Sequence, residues 1–164
     1  MYHVIQSPNM KEMGDILNRL GQIKFSSELN LIVGIANGGI VPAYLLHTYL
    51  GLPMELLWIN FRDETHKPKT AAPFQTKPLN FNPEGKDILL ADDRSNTGAT
   101  LRLAAKLLKG AARVSTLVVN GKADYSLFDE DCFAMPWNFT SPRGSQFPKY
   151  PSRSLLPAKK PLQV

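Results

Sequence analysis

The stretch ILLADDRSNTGATLRLAAKLL, Ile88 to Leu108, decides how this chain is read. Ile88 to Ala91 is an apolar run of the kind that fills the middle of a parallel sheet. Leu101 to Lys109 has helical periodicity, with Arg102, Lys106 and Lys109 forming one polar stripe. Between them, Asn96, Thr97, Gly98, Ala99 and Thr100 make a turn at a strand's carboxyl end. Open α/β sheets bind ligands at such ends, where several backbone N–H groups and hydroxyls converge on an anion. A phosphate is the natural occupant. Asp92 and Asp93 would repel it unless they face another part of the ligand, such as sugar hydroxyls or a bridging divalent cation, so the pair points to a ribose phosphate. The alternative is that both acids are solvated and merely precede a helix capped by Ser95 or Asn96.

Residues Ile88 to Thr100 resemble the signature of the type I phosphoribosyltransferases: four apolar residues, two acids, then a short loop ending in Thr-Gly-x-Thr. The resemblance implies that Asp92 and Asp93 hold the ribose hydroxyls of phosphoribosyl pyrophosphate, directly or through Mg²⁺. It implies equally that Ser95 to Thr100, with Thr97, Gly98 and Ala99 at its centre, wraps the 5′-phosphate.

Composition is consistent with one α/β domain. The chain has 164 residues and 43% hydrophobic content, enough for one real core and too little for two large ones. A single cysteine, Cys132, excludes an internal disulfide. No apolar run approaches the roughly 20 residues of a membrane span, and MYHVIQSPNMKEM lacks a basic region followed by an apolar secretory core. A cytoplasmic location is the expectation.

The formal charge of +5 resides in the tail. Residues 1–138 hold 14 basic and 14 acidic residues, whereas 139–164 has Arg143, Lys149, Arg153, Lys159 and Lys160 and no acid. Pro142, Pro148, Pro151, Pro157 and Pro161 deny that tail a long helix or a central strand. It reads either as an arm packed on the domain or on a dimer partner, or as a disordered tail. Only Phe147 and Tyr150 interleave with its charges, so a nucleic-acid arm is the weaker reading.

Elsewhere, strand and helix signals alternate. Ser7-Pro8 reads as a helix start, and Met10, Met13, Ile16, Leu17 and Leu20 fall on one helical face. LIVGIANGGIVPAYLLHTYLG, Leu31 to Gly51, is a strand, a Gly-Gly turn, and a helix with Pro42 near its start and Gly51 at its end. Met54 to Phe61 and Arg113 to Val119 read as further strands. The alternation predicts a doubly wound, mainly parallel sheet flanked by helices. By itself, the turn containing Asn37, Gly38 and Gly39 is a tight strand-to-helix connection; the resemblance makes it the pyrophosphate loop, often built around a non-proline cis peptide.

From about 61 to 86 the chain lacks apolar periodicity, and Pro68, Pro73, Pro78 and Pro83 discourage regular structure. So long a loop is a lid or is disordered; the resemblance implies a mobile hood closing over substrate. Lys67, Lys69 and Lys77 lie on it, and solvated lysines are the common case in such loops.

Lys122 follows a strand end, and Trp137 stands in FAMPWN, Phe133 to Asn138. Read alone they are a solvated lysine and a core aromatic. The resemblance narrows to the 6-oxopurine branch, which implies that Lys122 contacts the purine's exocyclic oxygen and that Pro136-Trp137 helps form the base pocket. Three positions depart from that branch: Asn96 replaces the acid before Thr-Gly, Asn37 replaces a basic residue, and Asn60-Phe61 replaces Ser-Tyr. Arg94 is positioned to lower the acids' pKa values or to compete with Mg²⁺. The sequence therefore predicts a phosphoribosyltransferase-like domain over 1–138 and a Pro-rich basic tail over 139–164. It would transfer a phosphoribosyl group to a nucleobase, with Asp92, Asp93 and Asn96 at the reacting centre, Mg²⁺ as cofactor and a homodimer as the assembly. A regulator that binds phosphoribosyl pyrophosphate or a nucleotide without catalysis is the alternative.

Overall fold

The computed structural model describes residues 11–60, 72–131 and 133–137. The predicted opening signal Ser7-Pro8, the first part of the lid and the basic tail lie outside the described residues.

The core is a six-stranded sheet with order β3-β2-β1-β4-β5-β6. Its strands are β1 (Leu31–Ala36), β2 (Met54–Asn60), β3 (Phe74–Gln75), β4 (Asp87–Ser95), β5 (Arg113–Gly121) and β6 (Tyr125–Phe128). All pairings are parallel except that of β3 with β2. Among the described residues, three helices flank it: α1 (Met13–Gly21), α2 (Ile40–Leu50) and α3 (Ala99–Leu107). The doubly wound α/β architecture expected from the sequence is the observed one.

Strand alternation sorts the side chains between two cores. Leu89 and Ala91 join Ile32, Leu117 and Val119 beneath Ile16 and Leu20 of α1 and Ala43 and Leu46 of α2. Ile88 and Leu90 face the other way, with Val33, Ile35, Leu57 and Val118, beneath Leu101 and Ala104 of α3. Because both faces of β4 are covered, its apolar run is continuous rather than alternating.

The winding direction reverses between β1 and β4. β1 leads through α2 on one face to β2, and β4 leads through α3 on the other face to β5. Their carboxyl ends therefore part into a crevice, the place where open α/β sheets receive ligands.

Several local expectations need correction. β4 does not stop at Ala91; it continues through both acids to Ser95, because β5 keeps pairing with it from Asp92↔Val118 to Ser95↔Gly121. Helix α3 begins at Ala99, and its N-cap is Gly98 in the left-handed region (φ 71°) rather than Ser95 or Asn96. On α1, Ile16 and Leu20 are buried but Met13 and Leu17 are 37% and 47% exposed, so only part of the predicted apolar face meets the core. The lid's return arm is not structureless: β3 pairs Gln75 with Ile59 and Phe74 with Asn60, while Leu79 and Phe81 pack on the α3-side core.

The short parallel connection from β5 to β6 relies on particular residues. Gly121 adopts φ 111°, and the Asp124 carboxylate accepts hydrogen bonds from the Thr116 N–H and hydroxyl, both at 2.8 Å. Parallel strands otherwise need a crossover of about a dozen residues.

Candidate active site

β4 outruns β1. The last pairing between them is Gly34↔Ala91, so Asp92 and Asp93 project beside the loop that leaves β1. A Cβ built on Gly38 would stand 2.5 Å from Asp93 Oδ1 and 3.0 Å from Asp92 Oδ1. The Gly-Gly loop and the acid pair, 54 positions apart in sequence, are thus one site; only glycine lets the loop backbone meet both carboxylates. Asp92 is buried, and its Oδ1 accepts the Asp93 N–H at 2.8 Å. The reading of these acids as solvated residues ahead of a helix does not describe Asp92.

The Ala36–Asn37 peptide is cis, as the family resemblance implies. Asn37 is exposed and Gly38 half-buried, whereas Gly39 is buried with its N–H donated to the Ile35 carbonyl at 2.7 Å. A side chain on Gly39 would collide with the Ala91 carbonyl. Gly39 thus packs the loop against β4 and leaves Asn37 and Gly38 at its surface.

The Ser95–Thr100 loop crosses the end of β4 into α3. Asn96 and Thr97 are exposed, and Gly98, Ala99 and Thr100 are half-buried. The first-turn N–H groups of a helix have no partner in their own ladder, so those of α3 face the loop's concave side and favour an anion. Ser95 Oγ is buried with no hydrogen-bond partner among the described residues, an orphaned donor and acceptor at the same place. Arg102, part of the polar stripe read from the sequence, folds back over Gly98: its Nη1 donates to the Thr97 carbonyl at 2.9 Å.

Chain beyond β5 closes the crevice. Lys122 is exposed, and its N–H donates to the Ser95 carbonyl at 3.3 Å, placing it directly beside the Ser95–Thr100 loop. Asn120 is buried; its Nδ2 donates to the Glu130 carbonyl at 3.1 Å and its Oδ1 accepts the Glu130 N–H at 3.1 Å. Arg94 donates from Nη2 to the Phe133 carbonyl. Residues 130 and 131 are therefore held at the end of β5, and Phe133 at the end of β4. Trp137 is half-buried and packs on the core beneath α1 and α2.

On the β1 side, Lys77 Nζ sits 3.5 Å from the centroid of the Trp58 ring, and the Thr76 N–H donates to the Trp58 carbonyl at 2.9 Å. Trp58 is the register partner of Ala36, next to the Gly-Gly loop. No periodicity or spacing points to this anchor, which joins residues 19 positions apart.

Among the described residues, no group of three or more His, Cys, Asp or Glu side chains is placed to hold a metal. The donor set at the crevice is two carboxylates, which suits Mg²⁺: that ion typically takes one or two carboxylates and fills its remaining positions with substrate oxygens and water. Among the described residues no helix is long and apolar enough to cross a membrane.

The Ser95–Thr100 loop, the paired acids of β4 and the glycine loop after β1 thus lie together at the sheet's switch point, where open α/β folds receive ligands. The chain belongs to the phosphoribosyl transferase domain family, whose model matches residues 9–140. It is 30% identical over 115 residues to the orotate phosphoribosyltransferase of Saccharolobus solfataricus, an alignment covering 68% of this chain and 53% of that protein. The chain thus spans about half the length of that relative. Among solved structures it is similar to a purine phosphoribosyltransferase from Pyrococcus horikoshii Ot3, with TM-score 0.61 and 22% identity over 78% of this chain and 91% of that one. It is also similar to the Helicobacter pylori xanthine-guanine-hypoxanthine phosphoribosyltransferase, with TM-score 0.61 and 15% identity over 79% of this chain and 92% of that one.

Proposed function

We propose that the protein transfers the 5-phosphoribosyl group of phosphoribosyl pyrophosphate to a ring nitrogen of a nucleobase, releasing pyrophosphate. The observation that carries this reading is the meeting of Gly38 with both carboxylates beside the Ser95–Thr100 nest. That arrangement matches one ligand carrying phosphate, ribose and pyrophosphate in that order.

In this reading, the α3 first turn, Thr97, Thr100 and Ser95 Oγ bind the 5′-phosphate, and Asn37 and Gly38 face the pyrophosphate. Asp92 and Asp93 orient the ribose hydroxyls and face the positive charge that develops on the sugar as the pyrophosphate bond breaks. Mg²⁺ held by these two carboxylates would neutralise the leaving pyrophosphate. Asn96 can orient a base edge but accepts no proton, so a general-base contribution, worth about 10²- to 10⁴-fold where present, does not come from this position.

The base is the finer question. Lys122 beside the nest supports a 6-oxopurine, whereas Trp137 packs on the core; the named purine-acting structural neighbours share the fold. A second reading, orotate, is favoured by the Saccharolobus relative and by the amide at Asn96. Pyrophosphate release with Mg²⁺ and guanine, xanthine, hypoxanthine, adenine, uracil or orotate, against a no-base control, tests the proposal. Release with one or a few of them supports transfer. Binding of phosphoribosyl pyrophosphate with no release from any base would replace the enzyme with a ligand-sensing regulator.

A further inference from the structure

We propose that Arg102 is a specificity-determining residue of the anion site, selecting a doubly charged phosphate monoester over a singly charged ester of the same shape. The inference rests on the reading of the Ser95–Thr100 loop as the 5′-phosphate site and adds to it a side-chain ligand from outside that loop. Arg102 stands three positions past the first residue of α3. Helix side chains lean toward the N-terminus, so this one reaches back over the loop. Its Nη1 donates to the Thr97 carbonyl at 2.9 Å. The same atom stands 2.9 Å from the position a Gly98 Cβ would take, and Ser95 Oγ stands 4.0 Å from that position, so the two lie within about 7 Å of each other. A phosphate spans such a gap: with oxygens about 2.5 Å apart and a hydrogen bond of about 2.8 Å on either side, it joins groups up to about 8 Å apart. Ser95 is only 6% exposed, and its Oγ has no hydrogen-bond partner among the described residues. A buried hydroxyl in that state calls for a partner, and Arg102 holds a cation at the far side of the same gap.

Charge is what the loop itself lacks. A phosphate monoester carries about −1.5 to −2 at pH 7, whereas a helix N-terminus supplies the equivalent of about +0.5. Residues 95–101 hold no lysine or arginine, and Asp92 and Asp93 add negative charge on the strand that leads into them. Arg102 is the first cation along α3; Lys106 follows one turn later, and Lys122 stands on the β5 side of the loop. No carboxylate among the described residues pairs with Arg102. The Thr97 carbonyl takes one of the guanidinium's five N–H donors and neutralises no charge, so the other four remain for phosphate oxygens. Their planar arrangement suits that partner. Holding the guanidinium on Thr97 before the ligand arrives also removes part of the ordering cost of binding.

Equilibrium titration of the full chain with ribose 5-phosphate and ribose 5-sulfate tests this without requiring turnover. The two esters share a tetrahedral head with three free oxygens, but the sulfate carries a single charge. The unsubstituted protein should bind the phosphate at least about fivefold more tightly; a smaller preference overturns the inference. Arg102→Gln keeps a donor for the Thr97 carbonyl and loses the charge, so it should cut that phosphate-over-sulfate ratio by at least about threefold. A smaller cut, with both esters weakened alike, overturns the inference, since that is the behaviour of a residue that only holds the loop. Arg102→Lys should retain part of the preference lost in Arg102→Gln; a lysine variant that retains none of it shows that charge is not the cause and likewise overturns the inference. The transferase reading fails or stands separately. Pyrophosphate release with a nucleobase, alongside an unchanged ratio in Arg102→Gln, would sink this inference alone. An Arg102-dependent preference with no release from any base would sink the transferase reading alone.

Discussion

At the β1–β4 end of the crevice, the proposed recognition runs largely through main chain: the Asn37–Gly39 loop, the Asp93 N–H on Asp92, and the first turn of α3. At the β5 end it runs through side chains: Asn120 on Glu130, Arg94 on Phe133, and Lys122 at the tip. The difference follows from what each end must recognise. A phosphate or pyrophosphate presents the same oxygens whatever the substrate, so backbone donors held by glycine geometry serve it. A base differs from its competitors by one substituent, and that discrimination needs side-chain groups that can be exchanged.

Removing charge at the shared centre should have the largest effect. The double substitution Asp92→Asn with Asp93→Asn should lower turnover by about 10³-fold or more, while the thermal midpoint stays within about 8 °C of the parent. Steady-state kinetics alongside a melt checks this; retained turnover would remove the acids from the mechanism. Next is the geometry of the backbone end. Gly98→Ala forces a side chain into φ 71° and to 2.9 Å from the Arg102 guanidinium, at a cost of about 1–2 kcal/mol. It should raise the KM for phosphoribosyl pyrophosphate about tenfold and leave the choice of base unchanged. A change in base preference would show that the two ends are not separable.

The side-chain end should answer differently. Asn120→Ala removes two hydrogen bonds to the Glu130 main chain, costing about 1–3 kcal/mol, and should raise the KM for the base more than that for phosphoribosyl pyrophosphate. Comparing the two KM values in one assay decides it, and an equal rise in both contradicts the division. The smallest effect is expected at the lid's return arm. Lys77→Met removes a cation–π contact worth about 0.5–1 kcal/mol and should shift the phosphoribosyl pyrophosphate KM by about two- to fivefold, measured at fixed ionic strength.

The same division governs what could be read from the sequence. The apolar run at Ile88–Ala91, Gly51 closing α2, and the acid-Thr-Gly spacing are local signals, each tied to backbone geometry, and they located the sheet, the helices and the loop that enters α3. The extension of β4 through two aspartates was not local, since β-propensity disfavours Asp and the pairing comes from β5. Nothing near Arg94 announces Phe133, 39 positions away, and nothing near Trp58 announces Lys77. The resemblance assigns Ser95 to the loop that enters α3, but the burial of its hydroxyl with no hydrogen-bond partner among the described residues is a tertiary feature with no local signal. The two-residue β3 escaped because its pairing offsets a loop composition rich in proline.

A crystal structure of the protein with phosphoribosyl pyrophosphate and Mg²⁺ tests the central claim most directly. The account predicts the 5′-phosphate against the N–H groups of Asn96 to Thr100, the ribose hydroxyls at Asp92 and Asp93, and the pyrophosphate over Asn37 and Gly38. A ligand bound outside the β1–β4 crevice, or crevice electron density that remains empty at saturating ligand, would contradict it.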